Sequence, residues 1–279
     1  MVLVIQPKEI TARISEIAKA KASLPWVSAL VLAFLAGAFI AFAAGGSTLV
    51  AHDSPSFGLG RLLTGAVFAT GLMLVVMAGG ELFTGNSLMV VGLLDRAIRP
   101  RDLLRNWSLV YVGNFAGSLF VAFLMGWSGL WRLNGGKVGA SVISIAASKV
   151  SLDFGQAFVR GILCNWLVCL AVWMAAGALS AAGKAVAIFF PIMLFVASGF
   201  EHSVANMYYV PAGILAMGDP AISALAAGPA SSLTWGSFFW KNLLPVTLGN
   251  IVGGVIFVGT LYWIAFVYGP SRSRNQIRG

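Results

Sequence analysis

Of the two histidines in this 279-residue chain, one stands where an ionisable group is costly. Ser198-Gly199-Phe200-Glu201-His202-Ser203-Val204-Ala205-Asn206-Met207 lies between the apolar runs 189–195 and 208–210. An imidazole titrates near neutrality and can hold or release a proton on a small change of surroundings. A neighbouring carboxylate can cap a helix or orient the ring. Ionisable groups that persist at membrane depth face a cavity and mark a pathway. The bland alternative is a packed histidine bonded to Glu201. The interrupted stretch around His202 and the scarcity of other histidines favour the pathway.

A second polar interruption, Gly79-Gly80-Glu81-Leu82-Phe83-Thr84-Gly85-Asn86, carries a glutamate but no histidine. Glu81 and Glu201 therefore read as caps and orienting groups, and His202 as the reactive one. Thr84 could meet a substrate or His202, or cap a helix. Asn86, Asn206, Asn114 and Asn250 read as glue for unwound backbone. Lys149 either draws anions or snorkels to the interface, and taken alone it reads as snorkelling. His52, beside Asp53, reads as a solvated loop residue. Cys164 and Cys169 are five positions apart in one apolar span, which argues against a disulfide, and two cysteines alone make no metal site.

The elements that must hold these groups are membrane helices. Hydrophobic residues make up 59% and charged residues 10%, with mean hydropathy +0.90. Soluble domains carry about 25% charged residues, so the composition specifies an all-α polytopic membrane protein. Six spans are read at about 26–46, 62–94, 103–127, 154–179, 186–217 and 243–268. The second is too long for one crossing. Residues 1–24 read as an amphipathic surface helix with Ile10, Ile14 and Ile17 at helical spacing, and 271–279 as a basic tail. No secretory signal is expected. The formal charge of +9 sits in clusters between the apolar runs and at the ends, which argues against nucleic acid. Twelve Lys and Arg fall on the side of the termini, against six at Arg61, Arg132, Lys137, Lys149, Arg160 and Lys241. The positive-inside rule puts both termini in the cytoplasm.

The halves repeat. Gly79-x-Glu81-x-x-x-Gly85-Asn86 matches Gly199-x-Glu201-x-x-x-Ala205-Asn206, and Asn106-x-x-x-Val110-x-x-Gly113-Asn114-x-x-Gly117 matches Asn242-x-x-x-Val246-x-x-Gly249-Asn250-x-x-Gly253. Units of about 25–130 and 150–270 have three spans each, so the second enters from the opposite face: an inverted 3+3 repeat with broken second and fifth helices. Matched interruptions of this kind point to the substrate site, because unwound backbone at membrane depth survives only in protein or beside a water-filled cavity.

Gly80-Glu81-Leu82-Phe83-Thr84, Gly161-Ile162-Leu163-Cys164-Asn165-Trp166-Leu167-Val168, Gly199 to Met207 and Asn242-Leu243-Leu244-Pro245-Val246-Thr247-Leu248-Gly249-Asn250 together resemble the formate/nitrite transporter family. The resemblance covers the whole membrane region. It implies an aquaporin-like fold, a homopentamer in a prokaryotic plasma membrane with a pore in each protomer, no cofactor and no enzymatic activity. It implies small monovalent anions as substrates, formate first, with nitrite, hydrosulfide, acetate or lactate as alternatives. By motif match His202 is the central pore histidine, Thr84 its partner, and Lys149, with Asn165 nearby, the basic vestibule residue. Glu201 and Asn250 belong to the same pathway. Phe68, Leu72, Leu82, Phe83 and Phe195 match the two apolar constrictions.

The transport expected is proton-coupled: the anion is neutralised near His202 and crosses as its acid, with channel-like passage as the competitor. A water or glycerol channel would carry Asn-Pro-Ala in both breaks, which have none. A haem carrier would need axial ligands that His52 cannot supply from a loop. A hydrolase would need more than Ser203 adjacent to His202.

Overall fold

The computed structural model describes residues 4–226 and 232–269. The tail read over 271–279 lies outside them. Six helices are long and apolar enough to cross a membrane: α2 (Trp26–Ala51), α3 (Phe57–Gly79), α5 (Pro100–Trp127), α7 (Phe154–Gly177), α8 (Ala181–Ser198) and α10 (Trp235–Tyr268). Two half-length helices, α4 (Gly85–Leu94) and α9 (Ser203–Ala216), continue α3 and α8 beyond their breaks. Two amphipathic helices complete the set, α1 (Pro7–Ala22) and α6 (Lys137–Val150). Several spans start before their apolar windows, α3 by five residues, α8 by five and α10 by eight, and α2 runs on to Ala51, because capping groups rather than hydropathy set the ends: Ser56 caps α3 and Ser180 caps α8.

The inverted repeat is present and larger than the sequence suggested. Packing pairs recur between halves: α2 with α5 and α7 with α10, α2 with α3 and α7 with α8, α1 with α4 and α6 with α9, while α3 and α8 meet each other. Thus α1 is the mate of α6, a helix not expected from hydropathy. The N-terminal helix is also no free surface element: Ile10, Ile14 and Ala18 are buried, and it packs on α4, α7 and the end of α10. Small residues permit the closest crossings. A Cβ at Gly117 would strike the α2 backbone at Phe34, and one at Gly253 the α7 backbone at Ile162.

The main apolar core surrounds both breaks, with Ile40, Phe68, Leu72, Val110, Cys164, Ile192 and Phe195 among its members. Large apolar side chains such as Phe42, Val112, Phe123 and Leu194 stay exposed on the outside, as a lipid-facing or protomer-facing surface requires.

Candidate functional site

Each break, 80–84 and 199–202, is a short stretch outside any helix that a neighbouring helix holds. α8 stops at Gly199, whose φ of +77° suits glycine. Its N–H donates to the Val196 carbonyl (3.0 Å) and that of Phe200 to Phe195 (3.1 Å). The chain then runs beside α7, Glu201 N–H donating to the Arg160 carbonyl at 3.2 Å. The first break makes the same contact with its own neighbour, Glu81 N–H donating to the Leu32 carbonyl of α2 at 3.1 Å.

Two buried asparagines close the frame. Asn250 accepts from Ser203 N–H (2.9 Å) and donates to the Gly161 and Glu201 carbonyls (2.8 and 2.9 Å). Asn114 accepts from Phe83 N–H (2.9 Å) and donates to the Ala33 and Glu81 carbonyls (2.7 and 2.8 Å). Their carboxamides are fully used on backbone, so Asn250 is part of the frame that holds the second break. Asn165 is similarly committed, to the Thr84 and Asn250 carbonyls (3.1 and 2.7 Å) and to Ser87 Oγ. It does not line the vestibule with Lys149; it supports the first break from α7.

The structure joins His202 to Thr84, Nε2 to Oγ1, at 2.9 Å in full burial. The other ring nitrogen fixes the tautomer. Nδ1 accepts the Ala205 N–H at 3.0 Å and so caps α9. The neutral ring must then carry its proton on Nε2 and donate it to the Thr84 hydroxyl oxygen. Capping therefore falls to His202 and Asn250. Glu201 does neither task expected of it, because its carboxylate turns away from the imidazole. It takes Lys149 Nζ with both oxygens (3.0 and 3.1 Å) and the Asn206 amide at 2.7 Å. Lys149 does not snorkel: its side chain is only 13% exposed and its ammonium lies 5.1 Å from the Tyr209 ring centroid.

Sequence reasoning missed the mirror image of this cluster. Lys21, at the end of α1, pairs with Glu81 at 2.5 Å. Asn86 donates to Glu81 and Asn106 (2.7 and 2.8 Å), as Asn206 donates to Glu201 and Asn242 (2.7 Å each). The signal was present, since Lys21-Ala22-Ser23-Leu24 and Lys149-Val150-Ser151-Leu152 occupy the same place before spans one and four.

A vestibule of about 650 Å³ opens beside the α2–α3 loop and descends to His202. Arg61, Arg160, Lys149 and a rim of serines line it, and Phe68 and Phe195 form its floor. These two rings meet edge-to-face at 5.7 Å, and Phe195 stacks over the imidazole at 5.9 Å. Leu72 and Leu82 are buried in the same core. Phe83 instead packs on Tyr111 and Trp107 and borders a groove between α5 and α10. His52 is half-buried at the vestibule mouth rather than solvated. Its Nδ1 donates to the Leu49 carbonyl (2.8 Å) and its Nε2 accepts from Asn134 (2.9 Å). Asp53 beside it is held below the usual carboxylate range by Asn134 and Lys137. Both cysteines are buried free thiols.

A family model described as Formate/nitrite transporter matches residues 8–264. The chain belongs to the formate/nitrite transporter family. Among its relatives, a probable formate transporter of Methanothermobacter thermautotrophicus is 44% identical over 94% of this chain and 97% of that protein. The formate channel FocA of Escherichia coli K12 is 40% identical over 85% of each. A solved pentameric formate channel with formate bound superposes with TM-score 0.75 at 38% identity, over 87% of this chain and 98% of the other. An FNT family ion channel gives 0.77 at 34% identity, over 93% and 98%. Membership of this family makes the chain a multi-pass membrane transport protein and not an enzyme.

Proposed function

We propose that each protomer conducts a small monovalent anion, formate first, together with a proton, and that five protomers assemble in a prokaryotic plasma membrane with both termini cytoplasmic. The observation that carries this reading is the His202–Thr84 hydrogen bond at the foot of the vestibule. The relatives named as formate channels and the pentameric structural neighbour support the substrate and the assembly.

The geometry supports the following sequence. An anion enters the basic vestibule and meets the Phe68 and Phe195 rings, where water is displaced. Carrying a bare carboxylate across that layer costs several kcal/mol, whereas the neutral acid crosses far more cheaply. Low polarity therefore pulls the anion's protonation equilibrium towards the acid. With Nδ1 committed to the Ala205 N–H and its one proton on Nε2 donated to Thr84 Oγ1, the neutral imidazole has no proton to give. The neutralising proton enters with the anion from vestibule water, and His202 holds Thr84 in place at the point where the acid forms. Because Nε2–H donates to Thr84, the hydroxyl proton of Thr84 remains to hydrogen-bond the permeant. The acid passes Leu72 and Leu82 and ionises beyond the second break, where Lys21 and Glu81 repeat the arrangement of the entrance.

The test is proteoliposome uptake of labelled formate under an imposed pH gradient. His202→Asn should abolish the dependence on the gradient while pentamers still elute intact. Wild-type coupling in that variant would refute the role of His202.

A further inference from the structure

The vestibule's charge is not where a lone basic residue would lead one to seek it. Of its three cationic lining residues, Lys149 is neutralised by both oxygens of Glu201, the one carboxylate among the lining residues. Asp53 is committed to Asn134 and Lys137, and Asp153 caps α7. Among the described residues, no carboxylate pairs with Arg61 or Arg160. Arg160 is exposed at the rim, whereas Arg61 is half-buried.

Arg61 leaves the first turns of α3 and lays its guanidinium over Gly199, the residue that ends α8. A Cβ there would overlap Arg61 Nη2 and lie 3.2 Å from Cζ. The Phe57 ring supports the guanidinium from 5.4 Å. Its Nε is buried without a hydrogen-bond partner, although a buried donor left unmade is expensive. Thr64 and Phe68 follow at helical spacing on the same face of α3 and also line the vestibule. That face leads from the guanidinium to the aromatic floor above His202.

We propose that Arg61 is the uptake site of the vestibule, binding planar two-oxygen monoanions such as carboxylates and nitrite through its fork of N–H donors. This deepens the anion-transport reading above and rests on it. A guanidinium matches two coplanar oxygens with two parallel hydrogen bonds, whereas an ammonium acts as a point charge. An anion with one acceptor atom, such as hydrosulfide, gains only the charge. The site therefore selects among the anions that share the central histidine.

Flux into proteoliposomes with formate, nitrite and hydrosulfide tests this in wild type, R61K and R61Q. Arg132→Gln, which removes a cation paired with Asp219 outside the vestibule, is the charge control. R61K should raise the half-saturating formate and nitrite concentrations about fivefold to tenfold with maximal flux within about twofold, and leave hydrosulfide within about twofold, because charge is kept and the fork is lost. R61Q should weaken all three, by about tenfold or more for formate, and R132Q none. Formate half-saturation unchanged in R61K and R61Q would overturn the assignment. So would an equal loss for formate and hydrosulfide in R61K. If R61Q fails to assemble, R61K decides alone, since it keeps length and charge. Wild type that carries none of the three anions would refute the transport reading itself, a result distinct from an indifferent R61K.

Discussion

Neutralising Glu201 should destabilise the protein unless Lys149 is neutralised with it. The two side chains are 6% and 13% exposed and meet at 3.0 Å. Removing one partner of a buried pair leaves an uncompensated charge and costs about 3–5 kcal/mol, while replacing both is close to neutral. Lys149 retains some solvent at the vestibule, which places this pair at the lower end, about 3 kcal/mol. In a chain of this size such a loss lowers the unfolding midpoint by roughly 6–12 °C. Glu201→Gln keeps an oxygen for the Asn206 amide, so the charge is the main thing lost. Lys149→Met removes the cation while filling its space. The assay is thermal unfolding of purified protein in one detergent for E201Q, K149M and the double variant. The double variant should recover most of the loss, with a coupling of about 2 kcal/mol or more between the sites. Single losses that simply add would refute the description of Lys149 and Glu201 as one neutral unit. The K21M and E81Q cycle replicates the experiment, with a smaller coupling because Lys21 is 23% exposed.

Asn250→Ala strands the Ser203 N–H and the Gly161 and Glu201 carbonyls, at about 1–3 kcal/mol each; intact assembly at the wild-type midpoint would contradict the frame. At the vestibule mouth, Asp53 is held below its usual range by Asn134 and Lys137. A lowered carboxylate stabilises the fold above its ordinary range and loses that contribution as pH falls through the depressed value. Wild type should therefore exceed Asp53→Asn in unfolding midpoint at neutral pH, and the gap should close below about pH 4. A gap of equal size at pH 3 and pH 7 would show that the ion pair does not cause it.

The sequence by itself determined the class, the six spans, the two breaks and their inverted relation. Each of these rests on a local pattern: runs of apolar residues about as long as a bilayer is thick, and paired Gly-x-Glu and Gly-Asn signatures. It also singled out His202, because a histidine amid hydrocarbon is conspicuous without any partner being known. What it could not determine was which polar group answers which. Glu201 is adjacent to His202 in the chain yet turns to Lys149, while His202 meets Thr84 across 118 positions. α6 escaped hydropathy because its polar face lines the vestibule, and Lys21 because it lies 60 positions from Glu81. Buried polar atoms are costly to leave unpaired, and most are paired in three dimensions by whichever partners the helix crossings bring within reach. The tertiary structure alone therefore showed the vestibule lysine already neutralised and the Arg61 guanidinium left without a carboxylate.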